Sequence, residues 1–278
     1  MNILILGSRG MLGQALVKEF SGAEHEATGW DKADLDITDK AKVLEKIGML
    51  KPKIIINAAA YNNIDKAETE DRDLVFKINA EAVGNLVEAS ALVGAFFVYY
   101  STDYVFRGDK IEGYSEVDAP DPQIVYAKSK FEGEKKAVGQ YIIRTSRLFG
   151  PAGAGDGAKK SFVDIMLKLG REKDSLDLVD EEISSPTYVV DLARATRELI
   201  ESGAPAGIYH RTNAGACTWY EWAREIFRLA NLTVKLNPVS ADKFPRPAPR
   251  PKFSKLITTK LSPLRSWEKA LAEYLETN

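Results

Sequence analysis

The sequence predicts an α/β protein built on a doubly wound parallel sheet, with a smaller C-terminal lobe. Two observations on the 278-residue chain carry this prediction. Short apolar segments alternate with amphipathic segments through the first half, and the apolar segments have no alternating polar face. Continuously apolar strands that alternate with helices are typical of a parallel sheet covered on both faces.

Five strands and four helices are predicted before residue 150. The strands cover residues 3–6, 26–30, 54–57, 96–100 and 141–144, and the helices cover residues 11–20, 40–47, 73–93 and 124–138. Because parallel strands are joined by right-handed crossovers, this order predicts a Rossmann-type dinucleotide-binding domain over residues 1–150.

The regular alternation ends after Gly150. We predict a glycine-rich mobile loop at 151–160, helices at 161–170, 189–202, 219–230 and 266–275, and short strands at 176–179 and 208–210. Residues 151–278 are therefore expected to form mainly a substrate-binding lobe over the carboxyl ends of the strands. Some of these segments are expected to return to the first domain.

Composition limits the function classes. The net charge of −2 gives no reason to expect nucleic acid or an anionic membrane as a partner. No apolar stretch approaches the ~20 residues of a membrane span. The single cysteine, Cys217, excludes an intramolecular disulfide and fits a reducing cytoplasm. Only His25 and His210 are available, so a metal site or a histidine-based triad is poorly supported, and no metal is predicted.

A glycine-rich turn follows the first predicted strand and precedes the first helix. Its sequence is Gly7-Ser8-Arg9-Gly10-Met11-Leu12-Gly13. Glycines at such a turn permit a tight bend and close approach of the backbone to a pyrophosphate, and the helix N-terminus favours the anion. The position of the turn predicts dinucleotide binding, although glycine-rich loops also serve as plain turns.

Asp31 follows the second strand, about 20 residues past the turn, where a carboxylate can hold the adenosine ribose. A carboxylate there repels a 2′-phosphate, whereas Arg9 and Lys32 attract one. The sequence therefore leaves NADPH and NADH open as the cofactor. Asp36 and Ile37 either frame the adenine or belong to a helix cap.

Small side chains follow the third strand at Ala58, Ala59 and Ala60, before Tyr61. They either let a flat cofactor lie against the backbone or pack tightly for structural reasons.

Three residues indicate the chemistry of the site. Tyr126 and Lys130 are four residues apart and so share one helical face, and Thr102 ends the fourth strand. An ammonium near a phenol, with the positively charged nicotinamide of the cofactor adding to its effect, lowers the phenol pKa, so Tyr126 can exchange a proton with a carbonyl or alcohol oxygen near neutral pH. The Thr102 hydroxyl can hydrogen-bond the same oxygen.

The chain resembles the extended short-chain dehydrogenase/reductase family over nearly its whole length. The resemblance rests on the glycine turn and on residues 57–61, 65–68, 101–106, 126–130, 144–146, 185–187 and 250–251. It implies that Thr102, Tyr126 and Lys130 are catalytic and that Asp103 and Tyr104 touch a sugar. It also implies that Gly10, Met11, Leu12, Asp31, Asp36, Ile37, Ala60, Tyr61 and Asn62 line the cofactor.

Two departures from the family pattern fall on the substrate side. The family usually has a sugar-packing tryptophan three residues after Arg144, where this chain has Arg147. Lys252 and Phe253 replace small polar residues near Arg250. We interpret Arg147 as a substrate residue that reaches an oxygen of the sugar or diphosphate, because a guanidinium offers a fixed fork of donors. The alternative is that Arg147 points into solvent or pairs with a surface carboxylate.

The resemblance implies a reductase that transfers a hydride from NADPH or NADH to the C4 ketone of a dTDP-linked 6-deoxy-4-keto hexose. It also implies a homodimer. One alternative is a nucleotide-sugar epimerase or dehydratase with tightly bound NAD and the same three residues. The other is a non-catalytic regulatory protein, since the regulatory subunit of methionine adenosyltransferase shares this resemblance.

Overall fold

The computed structural model describes residues 1–22, 25–155 and 160–277. The strands are β1 Asn2–Leu6, β2 Glu26–Trp30, β3 Ile54–Asn57, β4 Phe96–Thr102, β5 Tyr141–Thr145, β6 Leu148–Phe149, β7 Ser175–Val179, β8 Thr187–Tyr188, β9 Gly207–His210 and β10 Lys235–Val239. The helices are α1 Met11–Ser21, α2 Lys40–Leu50, α3 Ile64–Glu68, α4 Arg72–Phe76, α5 Ala82–Val93, α6 Val125–Lys136, α7 Phe162–Glu172, α8 Val189–Glu201, α9 Trp219–Leu229 and α10 Trp267–Thr277.

Six parallel strands form the main sheet in the order β2-β1-β3-β4-β5-β9. The strand order reverses beside β1, because β2 and β3 lie on opposite sides of it. In doubly wound sheets, ligands bind at this switch point, outside the carboxyl ends of the strands. The predicted fold class is confirmed.

Helices cover both faces of the sheet. On one face, Leu12, Leu16 and Phe20 of α1 form an i, i+4, i+8 stripe that packs with α8 against β1. On the other face, α2 and α5 pack against β1, β3 and β4. Both faces of β1 are therefore buried, which explains its continuously apolar sequence.

The second lobe has its own apolar core, built from α7, α9, α10 and the β7–β10 pair. Ser161 and Thr218 cap the N-termini of α7 and α9 with capping boxes. Each hydroxyl accepts the main-chain N–H of the residue three positions further on, and the carboxylate of that residue accepts the main-chain N–H of the capping residue. Although α8 and β9 follow residue 150, α8 packs on α1 and β9 pairs with β5. The division of the chain at residue 150 stays a prediction.

Some elements differ from the prediction. The helix predicted at 73–93 is divided into α4 and α5 by a π-helical turn at Lys77–Glu81. The short pair β6–β8 and strand β10 were not predicted. The loop predicted at 151–160 lies partly outside the described residues, which omit 156–159. Within the described ranges, no helix is both long and apolar enough to cross a membrane.

Candidate active site

The glycine turn has the shape of a phosphate cradle. Gly7 has a left-handed φ of 73°, and a Cβ there would lie 2.7 Å from the Ala59 nitrogen. A Cβ at Gly13 would lie 2.0 Å from the Gly7 carbonyl oxygen, so α1 packs directly on the turn. Gly10 precedes α1 without a side-chain cap, which leaves the first-turn amides at Met11 and Leu12 able to donate to an anion. These features fit a dinucleotide pyrophosphate.

Replacing Gly13 with alanine should weaken cofactor binding at least about tenfold, because the added methyl group must displace the turn that holds the pyrophosphate. Titration of cofactor fluorescence against the variant measures this. Gly48→Ala in α2 is the matched control, since a Cβ added there would meet no atom of the described residues within 4 Å. Equal affinity for Gly13→Ala and wild type would contradict the assignment of the turn.

A segment that the sequence did not connect to the site covers this turn. The Ala154 and Gly155 amides donate to the Arg9 carbonyl oxygen at 2.9 and 3.1 Å, and Arg9 Nη2 donates to the Ala154 carbonyl at 3.0 Å. A Cβ at Gly153 would lie 2.7 Å from the Arg9 carbonyl oxygen. Gly153 therefore permits this close approach, and its place in a glycine-rich loop was the only signal in the sequence.

Asp31 lies beside the turn at the end of β2. Its carboxylate accepts the Arg9 amide at 3.1 Å and the Lys32 amide at 2.7 Å. Asp31 thus ties the turn to β2, and the Arg9 and Lys32 side chains are attached at the same place. The structure therefore brings together Asp31, the carboxylate predicted to hold the ribose, and the two cationic residues Arg9 and Lys32.

The Asp36 carboxylate accepts the amide and hydroxyl of Thr38 at 2.9 and 2.8 Å. The main-chain hydrogen bond from Thr38 is the largest cause that lowers the Asp36 pKa. Ile37 is buried, and its carbonyl accepts Asn85 Nδ2 at 3.3 Å. These local contacts explain the conformation of Asp36 and leave its predicted adenine contact as a prediction.

Ala58 to Asn62 follow β3 at the carboxyl edge of the sheet. The Ala58 amide donates to the Leu6 carbonyl at 3.0 Å, which brings this segment against the glycine turn. Asn79 of the π-helical turn holds the segment, because its side chain accepts the Tyr61 amide and donates to the Tyr61 carbonyl and to Ser129 Oγ. Sequence reasoning missed Asn79, since the π-helical turn interrupts a helical pattern.

Thr102, Tyr126 and Lys130 come together from β4 and α6. All three are buried, at 7%, 9% and 4% exposure. Lys130 Nζ donates to the Tyr100 carbonyl of β4 at 2.6 Å and lies 4.3 Å from the centre of the Tyr99 ring. Helix α6 thus presents the predicted phenol and ammonium at the carboxyl end of the strand that carries Thr102.

Burial is the largest influence on the pKa values of Tyr126 and Lys130. Burial raises the pKa of Tyr126, the Asp103 charge adds to this, and the Thr102 hydroxyl partly opposes it. Burial lowers the pKa of Lys130 to about 7. These directions belong to the protein chain alone, where desolvation is the largest cause for both groups. The lowering of the Tyr126 pKa by Lys130 together with the positively charged nicotinamide stays a prediction.

Asp103 and Tyr104 adjoin Thr102 in a 3₁₀ turn. The Asp103 carboxylate is 2% exposed and accepts hydroxyl groups, including Thr102 Oγ1 at 3.0 Å. Tyr104 lies edge-on to Tyr126, with 6.3 Å between ring centres. Burial raises the pKa of Tyr104 to about 12. Tyr104 is the more exposed of the two predicted sugar residues.

Arg147 points toward the second lobe. Its guanidinium lies 3.9 Å from the centre of the Trp219 ring and donates to the carbonyl oxygens of Cys217 and Glu182 at 2.8 and 2.7 Å. The Glu182 carboxylate accepts Trp219 Nε1 at 2.8 Å and forms an ion pair with Arg246. The alternative of a solvent-facing or carboxylate-paired Arg147 does not match this placement. Sequence reasoning missed Trp219, Glu182 and Arg246.

Lys252 and Phe253, which differ from the family pattern, hold the C-terminal segment between the lobes through main-chain hydrogen bonds. The Ile183 amide donates to the Lys252 carbonyl at 2.7 Å, and the Phe253 amide donates to the Gly108 carbonyl at 3.0 Å. Nearby, Arg250 forms an ion pair with Asp65 at 2.9 Å. Among residues 1–22, 25–155 and 160–277, no cluster of His, Cys, Asp or Glu could hold a metal ion.

The doubly wound sheet, the glycine cradle and the buried Thr102, Tyr126 and Lys130 define a member of the extended short-chain dehydrogenase/reductase class. The chain belongs to the RmlD substrate binding domain family, whose profile matches residues 1–278. The family resemblance predicted from the sequence is thus confirmed.

Named relatives cover almost the whole chain. The spore coat polysaccharide biosynthesis protein SpsK of Bacillus subtilis is 35% identical over 99% of this chain and 96% of its own. The dTDP-4-dehydrorhamnose reductase of Streptomyces griseus is 35% identical over 97% and 91%. A crystal structure of dTDP-4-dehydrorhamnose reductase from Bacillus anthracis with NADP is 38% identical, with a TM-score of 0.93 and 99% coverage of both chains.

Proposed function

We propose that the protein reduces the C4 ketone of dTDP-4-dehydrorhamnose to give dTDP-rhamnose, with NADPH or NADH as the hydride donor. The observation that carries this proposal is the buried Thr102, Tyr126 and Lys130 cluster at the same sheet edge as the glycine cradle. Relatives named for this reduction, about 35% identical over nearly the full chain, support the substrate.

Each residue of the cluster has a part in the proposed reaction. The nicotinamide supplies the hydride that forms the new C4–H bond. Tyr126 gives its phenolic proton to the ketone oxygen, which becomes the C4 hydroxyl. Lys130 stabilises the tyrosinate and the cofactor ribose, and Thr102 positions the groups that react.

Assay of the purified protein with dTDP-4-dehydrorhamnose tests the proposal. We expect loss of NADPH or NADH absorbance in proportion to the sugar added. An epimerase or dehydratase would convert a nucleotide sugar without net consumption of added cofactor. A regulatory protein would give no turnover and would co-purify with a synthetase.

The cofactor site should favour NADPH or accept both cofactors. The Asp31 carboxylate accepts the main-chain amides of Arg9 and Lys32, so the turn brings two cationic residues next to one carboxylate. Comparing kcat/KM for NADPH and NADH measures this, and Arg9→Ala should selectively reduce the NADPH value. A preference for NADH beyond about a hundredfold, or ~2.7 kcal/mol, would show that Asp31 dominates.

We propose that Arg147 and Trp219 form the sugar-side wall together. Arg147→Ala removes the cation and the stack, so we expect KM for the nucleotide sugar to rise about tenfold, with cofactor Kd unchanged. Arg147→Trp should keep measurable activity. Arg147 has a left-handed φ of 41°, a conformation that strains alanine and tryptophan alike. A difference between the two variants therefore reports the side chain and not the backbone strain. Unchanged KM in Arg147→Ala would contradict the role.

We propose further that the protein acts as a homodimer in the cytoplasm. The chain has one cysteine, Cys217, and it is a free thiol, which supports a reducing compartment. Light scattering during gel filtration tests the assembly, and a monomer at working concentration would contradict it.

A further inference from the structure

Asp103 is enclosed by hydroxyl groups. Its Oδ1 accepts Thr102 Oγ1 at 3.0 Å. Its Oδ2 accepts Ser146 Oγ at 2.9 Å, Ser184 Oγ at 2.8 Å and Ser254 Oγ at 2.6 Å. An ionised carboxylate only accepts hydrogen bonds, so four hydroxyl donors match it. These contacts are therefore those of a buried anion that neutral hydroxyl groups solvate.

The hydroxyl donors come from separate parts of the chain. Thr102 ends β4 and Ser146 follows β5, both in the main sheet. Ser184 lies in the segment before β8, and Ser254 lies in the C-terminal segment. These last two segments are joined, since the Ser254 amide donates to the Ile183 carbonyl at 2.9 Å. Asp103 thus joins the main sheet to the second lobe immediately beside Thr102.

The direction of the Thr102 hydroxyl follows from these contacts. A threonine hydroxyl has one proton and two lone pairs. The proton is directed to Asp103, and one lone pair accepts the Tyr104 amide at 3.2 Å. While its proton stays on Asp103, Thr102 can only accept from a further group. The ketone oxygen would then take its hydrogen bond from Tyr126, which is the group that must deliver the proton. The lowering effect of Thr102 on the Tyr126 pKa belongs to the other arrangement, in which that proton turns to the tyrosinate.

We propose that Asp103 is a positioning residue that acts through Thr102 and Tyr126 and does not itself bind the sugar. Its charge adds to the effect of burial in favouring the protonated form of Tyr126, and its contact with Thr102 makes that hydroxyl an acceptor. This inference deepens the proposed reduction and rests on it. It replaces the expectation that Asp103 touches the sugar, because the carboxylate oxygens face four hydroxyls at 2% exposure.

The pKa directions agree with this arrangement. The Asp103 charge is the second cause, after burial, that raises the pKa of Tyr126. The four hydroxyls oppose the rise in the Asp103 pKa that burial produces. Other titratable or charged groups that interact with this cluster include Tyr99, Tyr104 and Arg147, and Tyr104 in turn interacts with Glu182 and Arg250. The variants below leave all of these in place.

Asp103→Asn removes the charge with almost no change of shape. We expect kcat to fall at least about tenfold and the alkaline limb of kcat/KM to move to lower pH by roughly one unit. Removing the negative charge lowers the pKa of Tyr126, because the tyrosinate is then repelled less. Reduction needs the protonated phenol, so activity is lost at a lower pH than in the wild type. A loss of folding or packing alone would lower the rate without moving the limb.

The adjacent serines provide a second test that keeps Asp103 intact. Ser184 donates to Asp103, whereas Ser185, also buried, donates to the Gly215 carbonyl at 2.9 Å. Ser184→Ala should raise the pKa of Asp103, reduce kcat several-fold and move the acid limb of kcat/KM to higher pH. Ser185→Ala should change neither limb, and NADPH Kd should stay the same in both variants.

The outcomes separate this inference from the proposed function. A wild-type protein that reduces no keto sugar would contradict the proposed reduction, and this inference with it. An active wild type whose pH limbs are unchanged in both Asp103→Asn and Ser184→Ala would overturn the role of Asp103 alone. If Asp103→Asn does not fold, the comparison of Ser184→Ala with Ser185→Ala decides.

Discussion

Tyr126→Phe should reduce turnover by ~10²-fold or more, the scale of a lost general acid. The variant removes only the phenolic oxygen from a ring that is 9% exposed and packs edge-on against Tyr104. The glycine cradle lies on other elements, so cofactor affinity should be largely kept. Steady-state rates and a fluorescence titration of NADPH measure the two quantities separately.

Tyr141→Phe is the matched control for this variant. Tyr141 is also a buried tyrosine, but it begins β5, at the edge of the main sheet opposite the site, and its hydroxyl donates to the Ala204 carbonyl at 2.7 Å. It should lose some stability, about 1 kcal/mol for one hydrogen bond, and keep its turnover. Activity of Tyr126→Phe within a few-fold of wild type would contradict the role of Tyr126 as proton donor.

Lys130→Met should also reduce turnover by ~10²-fold and should weaken cofactor binding. Methionine retains an apolar stem of similar length but removes the ammonium that faces the Tyr100 carbonyl. Without this cation, the tyrosinate formed by proton transfer loses a positive charge on its own helical face, and its formation becomes less favourable.

The control for the lysine variant lies on the same helix. Lys128 is exposed and two residues from Lys130, so Lys128→Met removes a charge from α6 without changing the site. It should keep both rate and affinity. Similar losses in Lys128→Met and Lys130→Met would show that net charge, and not the position of Lys130, controls activity.

Much of the main sheet could be predicted because its signals are local. The apolar strand β1 followed by Gly7 specifies both a buried strand and the turn after it. The spacing of Tyr126 and Lys130 likewise places both on one face of α6. In these cases the pattern lies within a few residues, so no distant contact is needed to interpret it.

The remaining features depend on contacts between distant residues. Asp103 meets Ser254 across 151 positions, and Arg9 meets Ala154 across 145. No local pattern marks such pairs. The sequence shows that Lys130 is near Tyr126 but cannot show the depth of burial, which is the largest cause that raises the Tyr126 pKa in the protein chain alone. The π-helical turn that presents Asn79 was hidden by the helical spacing on either side.

The most direct test of the proposed reduction follows the hydride itself. NADPH carrying deuterium at the transferred position of the nicotinamide is incubated with dTDP-4-dehydrorhamnose and the wild-type protein, and the sugar product is analysed by NMR. We predict one deuterium at C4 of dTDP-rhamnose for each NADPH consumed, with the rate lost in Tyr126→Phe. A product without deuterium at C4, or conversion of the sugar without loss of NADPH, would contradict the assignment.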